Sequence, residues 1–255
     1  IAEFTINQPF DMILAELYRQ KPDLLGFSCY IWNWELIRRL VRAIRKILPD
    51  TRLLLGGPEV SYDAAAVLSK HLFIDFVLCG EGELSLPAFV KGEAFSKIDG
   101  LAYRETGEVI VNPPAVIADL DALPRLYSRD ELGALENKII YYETSRGCPF
   151  RCSYCLSSTS HGVRFYSLER VFADFMLFME NGVRLVKLVD RTFNIDRART
   201  KAILRFILAN NKNTCFHFEV AADILDDETI SLLTSAPKGM FQLEIGVQST
   251  NTETL

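Results

Sequence analysis

Apolar and polar residues alternate with two different periods along the first ninety or so positions. Short apolar segments typical of strands are EFTI, LLGFSCY, RLLLGG and DFVLCGEGE, and longer amphipathic segments lie between them. In NWELIRRLVRAIRKIL the apolar residues recur at i, i+3, i+4 and i+7, which predicts a helix lying on a sheet. Strands that alternate with such helices predict a doubly wound, parallel α/β domain of the Rossmann-like type.

Small and acidic residues follow the carboxyl ends of these predicted strands. Ligands of a doubly wound sheet bind at that edge. The residues at this edge are Ser28, the Gly56-Gly57-Pro58-Glu59 run and the Gly80-Glu81-Gly82-Glu83 run. Gly56 and Gly57 allow the backbone to approach a ligand closely, and Ser28 offers a small hydroxyl group.

The pattern changes near residue 98. GLAYRETGEVIVNPP alternates as two strands about Thr106-Gly107, which predicts a hairpin, and a polar, proline-marked connection follows it. We therefore predict a first domain over residues 1–97, a hairpin and linker over residues 98–136, and a second domain over residues 137–255.

Strand and helix patterns alternate again in the second half. The predicted strands are KIIYYETSRG, VRLVKLVD, CFHFEVAAD and MFQLEIGVQS, with helices such as SLERVFADFMLFMENG between them. Four such repeats predict a barrel-like parallel sheet, whose functional residues lie on the loops after the strands. A loop rich in cysteine follows the first of these strands, which is the place expected of an active site.

Composition bears on the partners and the cellular compartment expected for the protein. The 255 residues are 49% hydrophobic and 24% charged with a formal net charge of −5, so no nucleic-acid partner is expected. No apolar run is long enough for a membrane span, and the start has no signal-peptide pattern. The first residue is not Met, and we expect a chain truncated at both ends. Three of the six cysteines crowd into one loop, which favours metal ligands in a reducing cytoplasm over disulfides.

The segment SRGCPFRCSYCLSS contains three cysteines in a C-x3-C-x2-C spacing. They are Cys148, Cys152 and Cys155. Structural zinc normally takes four ligands, and the only nearby fourth candidate is His161, so a Cys3His zinc site stays open on spacing alone. Three thiolates also suit a [4Fe–4S] cluster in which one iron is left for an exchangeable ligand.

This motif, with an aromatic residue directly before its last cysteine, resembles the signature of the radical S-adenosylmethionine (SAM) superfamily. The resemblance implies that the three thiolates bind a [4Fe–4S] cluster and that SAM chelates the remaining iron. One electron then cleaves SAM to methionine and a 5′-deoxyadenosyl radical. It also implies a partial (β/α)6 barrel, apparently truncated here by about two repeats, and a flavodoxin- or ferredoxin-type electron donor.

The same resemblance implies further SAM contacts. The usual glycines after the second barrel strand are absent, so Asp190 and Asn194 of LVDRTFN are substitute candidates for the SAM amino group. The strand FHFEVAAD resembles family members in which a glutamate faces SAM, and EIGVQSTN resembles the motif near the SAM ribose. The full set of candidate SAM residues is Tyr154, Asp190, Asn194, Glu219, Gln248 and Ser249.

The first domain resembles the cobalamin-binding domain that precedes many radical SAM domains. Its turns match that family in order, and the resemblance implies cobalamin contacts at Ser28, Gly56, Gly57 and Glu81. The lower-ligand motif D-x-H-x-x-G is absent, so a lost N-terminal segment and a cobalamin site without a histidine ligand both stay open. Trp32 and Trp34 are compatible with packing on a corrin face and equally with core packing.

Three function classes follow from these features. The first is a radical SAM enzyme that performs cobalamin-linked methyl transfer or a radical rearrangement on an unknown substrate. The second is a radical SAM methylthiotransferase acting on RNA or protein, for which Cys29 and Cys79 are too few and too scattered to hold a second cluster. The third is a non-catalytic metal-binding module.

Overall fold

The computed structural model describes residues 1–114, 116–159 and 162–253, and it divides into two compact units. The first unit is Ile1–Ile117 and the second is Ala118–Leu255. The finer division into residues 1–97, 98–136 and 137–255 stays a prediction. Within the described ranges, no helix combines the length and the apolar character that crossing a membrane requires.

The first unit is built on a five-stranded sheet with strands in chain order. Its strands are β1 (Leu24–Ser28), β2 (Arg52–Gly56), β3 (Phe76–Leu78), β4 (Leu101–Glu105) and β5 (Glu108–Val111). Its helices are α1 (Phe10–Gln20), α2 (Trp34–Ile47), α3 (Pro58–Ser61), α4 (Ala64–Lys70) and α5 (Gly82–Val90). β1, β2 and β3 are parallel, and the β4–β5 hairpin extends the sheet in the antiparallel sense.

Alternating side chains of β2 show that both faces of this sheet are covered. Leu53 and Leu55 pack in a core with residues of α1, α2 and α4. Leu54 packs on the opposite face with Phe89 of α5. Helices therefore cover both faces, as the doubly wound pattern predicts.

Two local predictions in this unit were wrong, and one helix was not predicted. EFTI is not a strand, because Gln8 closes a turn in which its side-chain oxygen accepts from the Thr5 N–H at 2.7 Å. The pattern of EVSYDAAAVLSKHL predicts a single helix over residues 59–72, but the structure divides it into α3 and α4, since Asp63 caps a new helix by accepting from the Ala66 N–H. Helix α5 follows the GEGE turn without having been predicted, and it contains Pro87.

The second unit contains a parallel sheet of β6 (Ile139–Tyr142), β9 (Leu185–Leu188), β10 (Cys215–Val220) and β11 (Phe241–Ile245). These strands are neighbours in chain order, which is the order of a β/α barrel. The helices of this unit are α6 (Arg129–Ala134), α7 (Leu168–Glu180), α8 (Arg197–Asn210) and α9 (Asp227–Ser235). A separate antiparallel pair, β7 (Ser145–Gly147) and β8 (Val163–Phe165), follows β6.

Large aromatic side chains hold the helices of the second unit on its sheet. Phe175 of α7 packs against Phe216 of β10 with ring centroids 4.9 Å apart, and both are fully buried. Phe218, two positions along the strand, lies on the same face. The intervening residues of β10 therefore point to the opposite face, which is the inner face of a β/α barrel.

Candidate functional site

The cysteine loop begins and ends at the β7–β8 pair. Gly147 pairs with Val163 at the last rung of this ladder, so the ends of the loop are held side by side. Gly147 has a φ of 103°, and a Cβ atom there would lie 2.2 Å from the Gly162 carbonyl oxygen. Only glycine fits so close an approach, and it closes the base of the loop.

None of the three loop cysteines is in a disulfide. Cys148 and Cys152 are half-buried, and Cys155 is exposed. The Cys155 N–H donates to the Cys152 carbonyl oxygen at 3.0 Å, which makes a tight turn between these two cysteines. The Cys148 sulfur lies 3.7 Å from the Thr192 hydroxyl oxygen, on the loop after β9.

The donor set of the loop fits an iron–sulfur cluster. Its thiols are reduced and reach the surface, and they follow the carboxyl end of a barrel strand. Among the residues that the structure describes, no three His, Cys, Asp or Glu side chains lie close enough together to hold a metal ion, so the thiols share a loop without converging. His161, the alternative zinc ligand, lies outside the described residues.

Asp190 is buried at the end of β9, with 1% of its surface exposed. Its carboxylate accepts from the Thr144 N–H at 2.6 Å, from the Ser145 N–H at 3.1 Å and from the Thr144 hydroxyl. Burial raises the pKa of Asp190 to about 6, and these hydrogen bonds oppose the rise. The carboxylate is thus ionised at neutral pH and engaged by the turn after β6.

Asn194 is also engaged by backbone. Its side-chain amide donates to the Ala221 carbonyl oxygen at 2.8 Å, and its oxygen accepts from the Ala221 N–H at 2.9 Å. Asp190 and Asn194 therefore tie the segment after β9 to the strand ends on either side. A SAM contact by either residue stays a prediction.

Three side chains on the inner face of the sheet form a cluster of ion pairs that the sequence analysis did not predict. Lys187 Nζ lies 3.1 Å from Glu244 Oε2, and His217 Nε2 lies 3.1 Å from the same oxygen. Lys187 and His217 are register partners on β9 and β10. The sequence pattern could have indicated this cluster, because Lys187 and His217 alternate with the buried apolar residues of their strands and so point to the opposite face. The pKa of Glu244 is lowered, chiefly by its hydrogen bond with Lys187.

The remaining candidate SAM residues lie at three separate places. Glu219 is half-buried on β10, on the face of His217. Tyr154, within the cysteine loop, is 73% exposed. Gln248 and Ser249 follow β11, and the Ser249 hydroxyl accepts from the Asn251 N–H at 3.0 Å. These positions stay predictions as SAM contacts.

The predicted cobalamin residues lie at the carboxyl edge of the first sheet. Gly57 has a φ of 96°, and a Cβ atom there would lie 2.6 Å from the Cys29 carbonyl oxygen. The close approach of two strand ends therefore requires glycine at this position, whether or not a ligand binds there. Ser28 is exposed on β1, and Gly56, which ends β2, is half-buried. Glu81 is half-buried, and its carboxylate accepts from the Ile117 N–H at 3.0 Å.

The two tryptophans differ in environment. Trp34 packs against the first core, which settles the alternative for this residue in favour of core packing. Trp32 is 64% exposed and stacks on Tyr30 with ring centroids 4.5 Å apart. Ile31 and Tyr62 are exposed after β1 and after α3. The carboxyl edge of this unit thus carries exposed apolar side chains.

Two family models match the chain, one for each unit. The B12 binding domain matches residues 1–90, and the radical SAM superfamily matches residues 142–255. An uncharacterized methyltransferase of Pyrococcus horikoshii is 30% identical over 202 residues, covering 74% of this chain and 44% of that protein. The cobalamin-dependent radical SAM methyltransferase TokK of Streptomyces tokunonensis is 26% identical over 196 residues, covering 69% of this chain and 28% of TokK.

A solved structure has the same fold. The radical SAM methyltransferase TsrM of Kitasatospora setae superposes with a TM-score of 0.71 at 20% identity, covering 96% of this chain and 52% of that one. This likeness confirms the predicted succession of a cobalamin-binding-type domain and a radical SAM barrel. The chain spans less than half the length of the two curated relatives. It belongs to the radical SAM superfamily and carries a B12-binding domain ahead of its radical SAM domain.

Proposed function

We propose that the chain is the cofactor-binding part of a cobalamin-dependent radical SAM methyltransferase. The observation that carries the proposal is a loop of three cysteines outside any disulfide, closed at its base and set beyond the carboxyl end of β6, in a chain that also has a B12-binding domain. Methyl transfer is favoured over radical rearrangement because the relatives named above are methyltransferases.

Each cofactor has its own set of residues in this proposal. The cluster with bound SAM supplies reductive, one-electron cleavage of SAM, and cobalamin supplies a methyl carrier. Cys148, Cys152 and Cys155 hold the cluster. SAM contacts come from the half-buried Glu219 and Ser249 and from the exposed Tyr154 and Gln248. Cobalamin contacts come from Ser28, Gly56, Gly57 and Glu81.

The fixed charges of the inner sheet face suit the binding of a cationic group. Glu219 and Glu244 are register partners on β10 and β11, and Lys187 balances one of the two carboxylates. A second carboxylate on this wall favours ligands with an amino or sulfonium group, of which SAM has both. The electron donor we propose is of the flavodoxin or ferredoxin type, in a cytoplasmic setting and with no nucleic-acid partner.

The methylthiotransferase alternative requires a second cluster in the first unit. The cysteines of that unit are Cys29 and Cys79, and both are buried in its core. Two buried thiols do not supply three cluster ligands, so this alternative is not favoured. The non-catalytic alternative is distinguished by metal content and by the response to SAM.

The test is anaerobic reconstitution of the chain with iron and sulfide. We expect about four irons and four sulfides per chain, and an electron paramagnetic resonance spectrum of the reduced cluster that changes when SAM is added. With dithionite and SAM, 5′-deoxyadenosine formation is then measured. The serine substitution Cys148→Ser should abolish the cluster signal, whereas Cys215→Ser, a matched control on β10, should retain it. One bound zinc per chain, or a cluster that survives Cys148→Ser, would contradict the proposal.

A further inference from the structure

Hydrogen bonds at both the N–H and the carbonyl group of Thr144 fix the turn between β6 and β7. The N–H and hydroxyl groups of Thr144 donate to Asp190, and the next N–H, that of Ser145, donates to the same carboxylate. The Thr144 carbonyl oxygen accepts from Arg199 Nη2 at 3.1 Å and from the Tyr166 N–H at 3.1 Å. Residues of three distant segments thus converge on one peptide group.

Burial makes these hydrogen bonds costly to lose. Thr144, Ser145 and Asp190 are all buried, and a charged acceptor strengthens each bond. Removal of the carboxylate leaves two buried N–H groups without their acceptor, and their exchange with solvent then becomes easier. The guanidinium of Arg199 is itself fixed, since it lies over the Phe165 ring of β8 at 5.1 Å from the centroid.

The held turn leads directly into the cysteine loop. β7 begins at Ser145 and ends at Gly147, and Cys148 is the next residue. All three residues of β7 are paired with β8, so little conformational freedom separates the turn from the first cysteine. The segment that contains Asp190 also reaches Cys148 a second time, through Thr192 at 3.7 Å from the sulfur.

We propose that Asp190 and Arg199 are positioning residues that set the direction in which the cysteine loop leaves the barrel, and hence the place of Cys148. This inference rests on the proposed cluster function of the loop. It gives Asp190 a role through the protein backbone, in contrast to the SAM contact predicted from the sequence. Outer-shell partners of metal ligands commonly change metal affinity about 10–100-fold when they are mutated.

The chain offers a matched control for Asp190. Asp174 of α7 is also buried, and its carboxylate accepts from the Tyr142 hydroxyl at 2.7 Å. Phe178 of α7 packs against the Tyr142 ring, with centroids 5.3 Å apart, so this carboxylate lies on the helix-covered face of β6. Asp174 also lies 3.4 Å from Arg125 and 3.7 Å from Arg170. Asp174→Asn therefore removes a buried, ion-paired charge and none of the hydrogen bonds of the turn before the cysteine loop.

The first measurement uses the chain without any cofactor. Asp190→Asn keeps one carbonyl oxygen but loses the charge and the acceptor for the Thr144 hydroxyl. We expect amide hydrogen exchange of residues 143–147 to become about tenfold faster in Asp190→Asn, because one charge-assisted bond is worth roughly that factor. Exchange there should be unchanged in Asp174→Asn. Arg199→Lys should give the same pattern more weakly, and it tests the pair if Asp190→Asn does not fold.

The second measurement uses the reconstituted chain. We expect iron to be lost to a chelator about tenfold faster from Asp190→Asn than from Asp174→Asn, when each variant is held at the same interval below its own melting temperature. Unchanged exchange at residues 143–147, or equal iron loss from the two variants, would overturn the proposal. Absence of a cluster from the unaltered chain would instead overturn the proposed function, and the exchange rates would still decide whether Asp190 fixes the turn.

Discussion

The thiols of this chain differ in what surrounds them, and reactivity follows from that difference. Burial, with a smaller contribution from the charge of Glu59, raises the pKa of Cys29 to about 12. Burial also raises the pKa of Cys79. Both residues pack in the first core as small hydrophobic side chains. The loop cysteines are half-buried or exposed.

Selective alkylation tests this contrast. Iodoacetamide reacts with thiolate, and at about pH 8 a group with the pKa of Cys29 has roughly one thiolate in ten thousand. In the cofactor-free chain we expect Cys148, Cys152 and Cys155 to be alkylated while Cys29 and Cys79 are protected, as read by peptide mass spectrometry. In concentrated guanidinium chloride all six cysteines should react. Early modification of Cys29 in the folded chain would contradict the buried assignment.

The raised pKa of Asp190 predicts how stability depends on pH. The group has an ordinary value of 3.8 when exposed and about 6 when folded, so the native state binds more protons than the unfolded state between these values. Its contribution to the free energy of unfolding therefore falls as pH rises through this window, and it stays low above it.

Comparison with Asp190→Asn isolates that contribution, because other groups titrate in both proteins and Arg199, which faces Asp190, stays charged. We expect the free energy of unfolding of the unaltered chain, minus that of the variant, to decrease between about pH 4 and about pH 6, the window set by the two pKa values. Hydrogen exchange of the slowest amides in the second unit measures it. A difference that grows with pH would mean that hydrogen bonding to the carboxylate outweighs its burial.

At the scale of elements, the base of the cysteine loop depends on one glycine. A Cβ atom at Gly147 would meet the Gly162 carbonyl oxygen at 2.2 Å, in addition to the cost of a positive φ. Gly182, at the end of α7, has a φ of 69°, and a Cβ atom added there would have no neighbour within 4 Å, so this residue isolates the cost of φ. The pair separates steric contact from backbone preference.

We expect Gly182→Ala to lower the free energy of unfolding by about 1 kcal/mol, and Gly147→Ala to lower it by clearly more. Exchange of the β7 and β8 amides is the readout, and reconstituted iron content is the functional one. Gly147→Ala should also reduce iron binding, whereas Gly182→Ala should not. Equal effects of the two substitutions would show that β7 and β8 can move apart at Gly147 and Gly162 at little cost.

The elements that the sequence predicted are those with a long, regular pattern. The stripe of apolar residues in α2 and the alternation about Thr106-Gly107 both indicated the observed elements, because local periodicity determines which face is buried. KIIYYETSRG was predicted as one strand and is divided into β6 and β7. The division is made by Asp190, which lies 46 residues beyond Thr144, and a contact so distant leaves no local pattern.

In the candidate site, too, local features could be predicted from the sequence and long-range contacts could not. The cysteine spacing is a local signal and was visible in the sequence. The hydrogen bonds of Asp190 and Arg199 to Thr144 depend on the pairing of strands that are far apart in the chain. The ion pair of Lys187 and Glu244 likewise joins β9 to β11 across β10. The register of strand pairing brings these residues, which are far apart in the sequence, into one cluster, and this register is established only in the folded sheet.

At the scale of the whole molecule, the residues assigned to the two cofactors lie in separate units. The cobalamin candidates lie within residues 1–117, and the cluster and SAM candidates lie within residues 118–255. Both tryptophans, Trp32 and Trp34, lie in the first unit. Tryptophan fluorescence therefore reports the first unit selectively, and the absorbance of an iron–sulfur cluster reports the second.

This separation predicts that each cofactor is lost without the other. Gly57→Ala forces a Cβ atom to within 2.6 Å of the Cys29 carbonyl oxygen, and we expect it to weaken hydroxocobalamin binding and change the tryptophan emission while iron content is retained. Cys148→Ser should have the opposite effect, with loss of iron and unchanged cobalamin binding. Anaerobic reconstitution followed by a hydroxocobalamin titration measures both quantities on one sample. Loss of both cofactors from either variant would mean that the two sites depend on each other, since neither substitution lies in the unit assigned to the other cofactor.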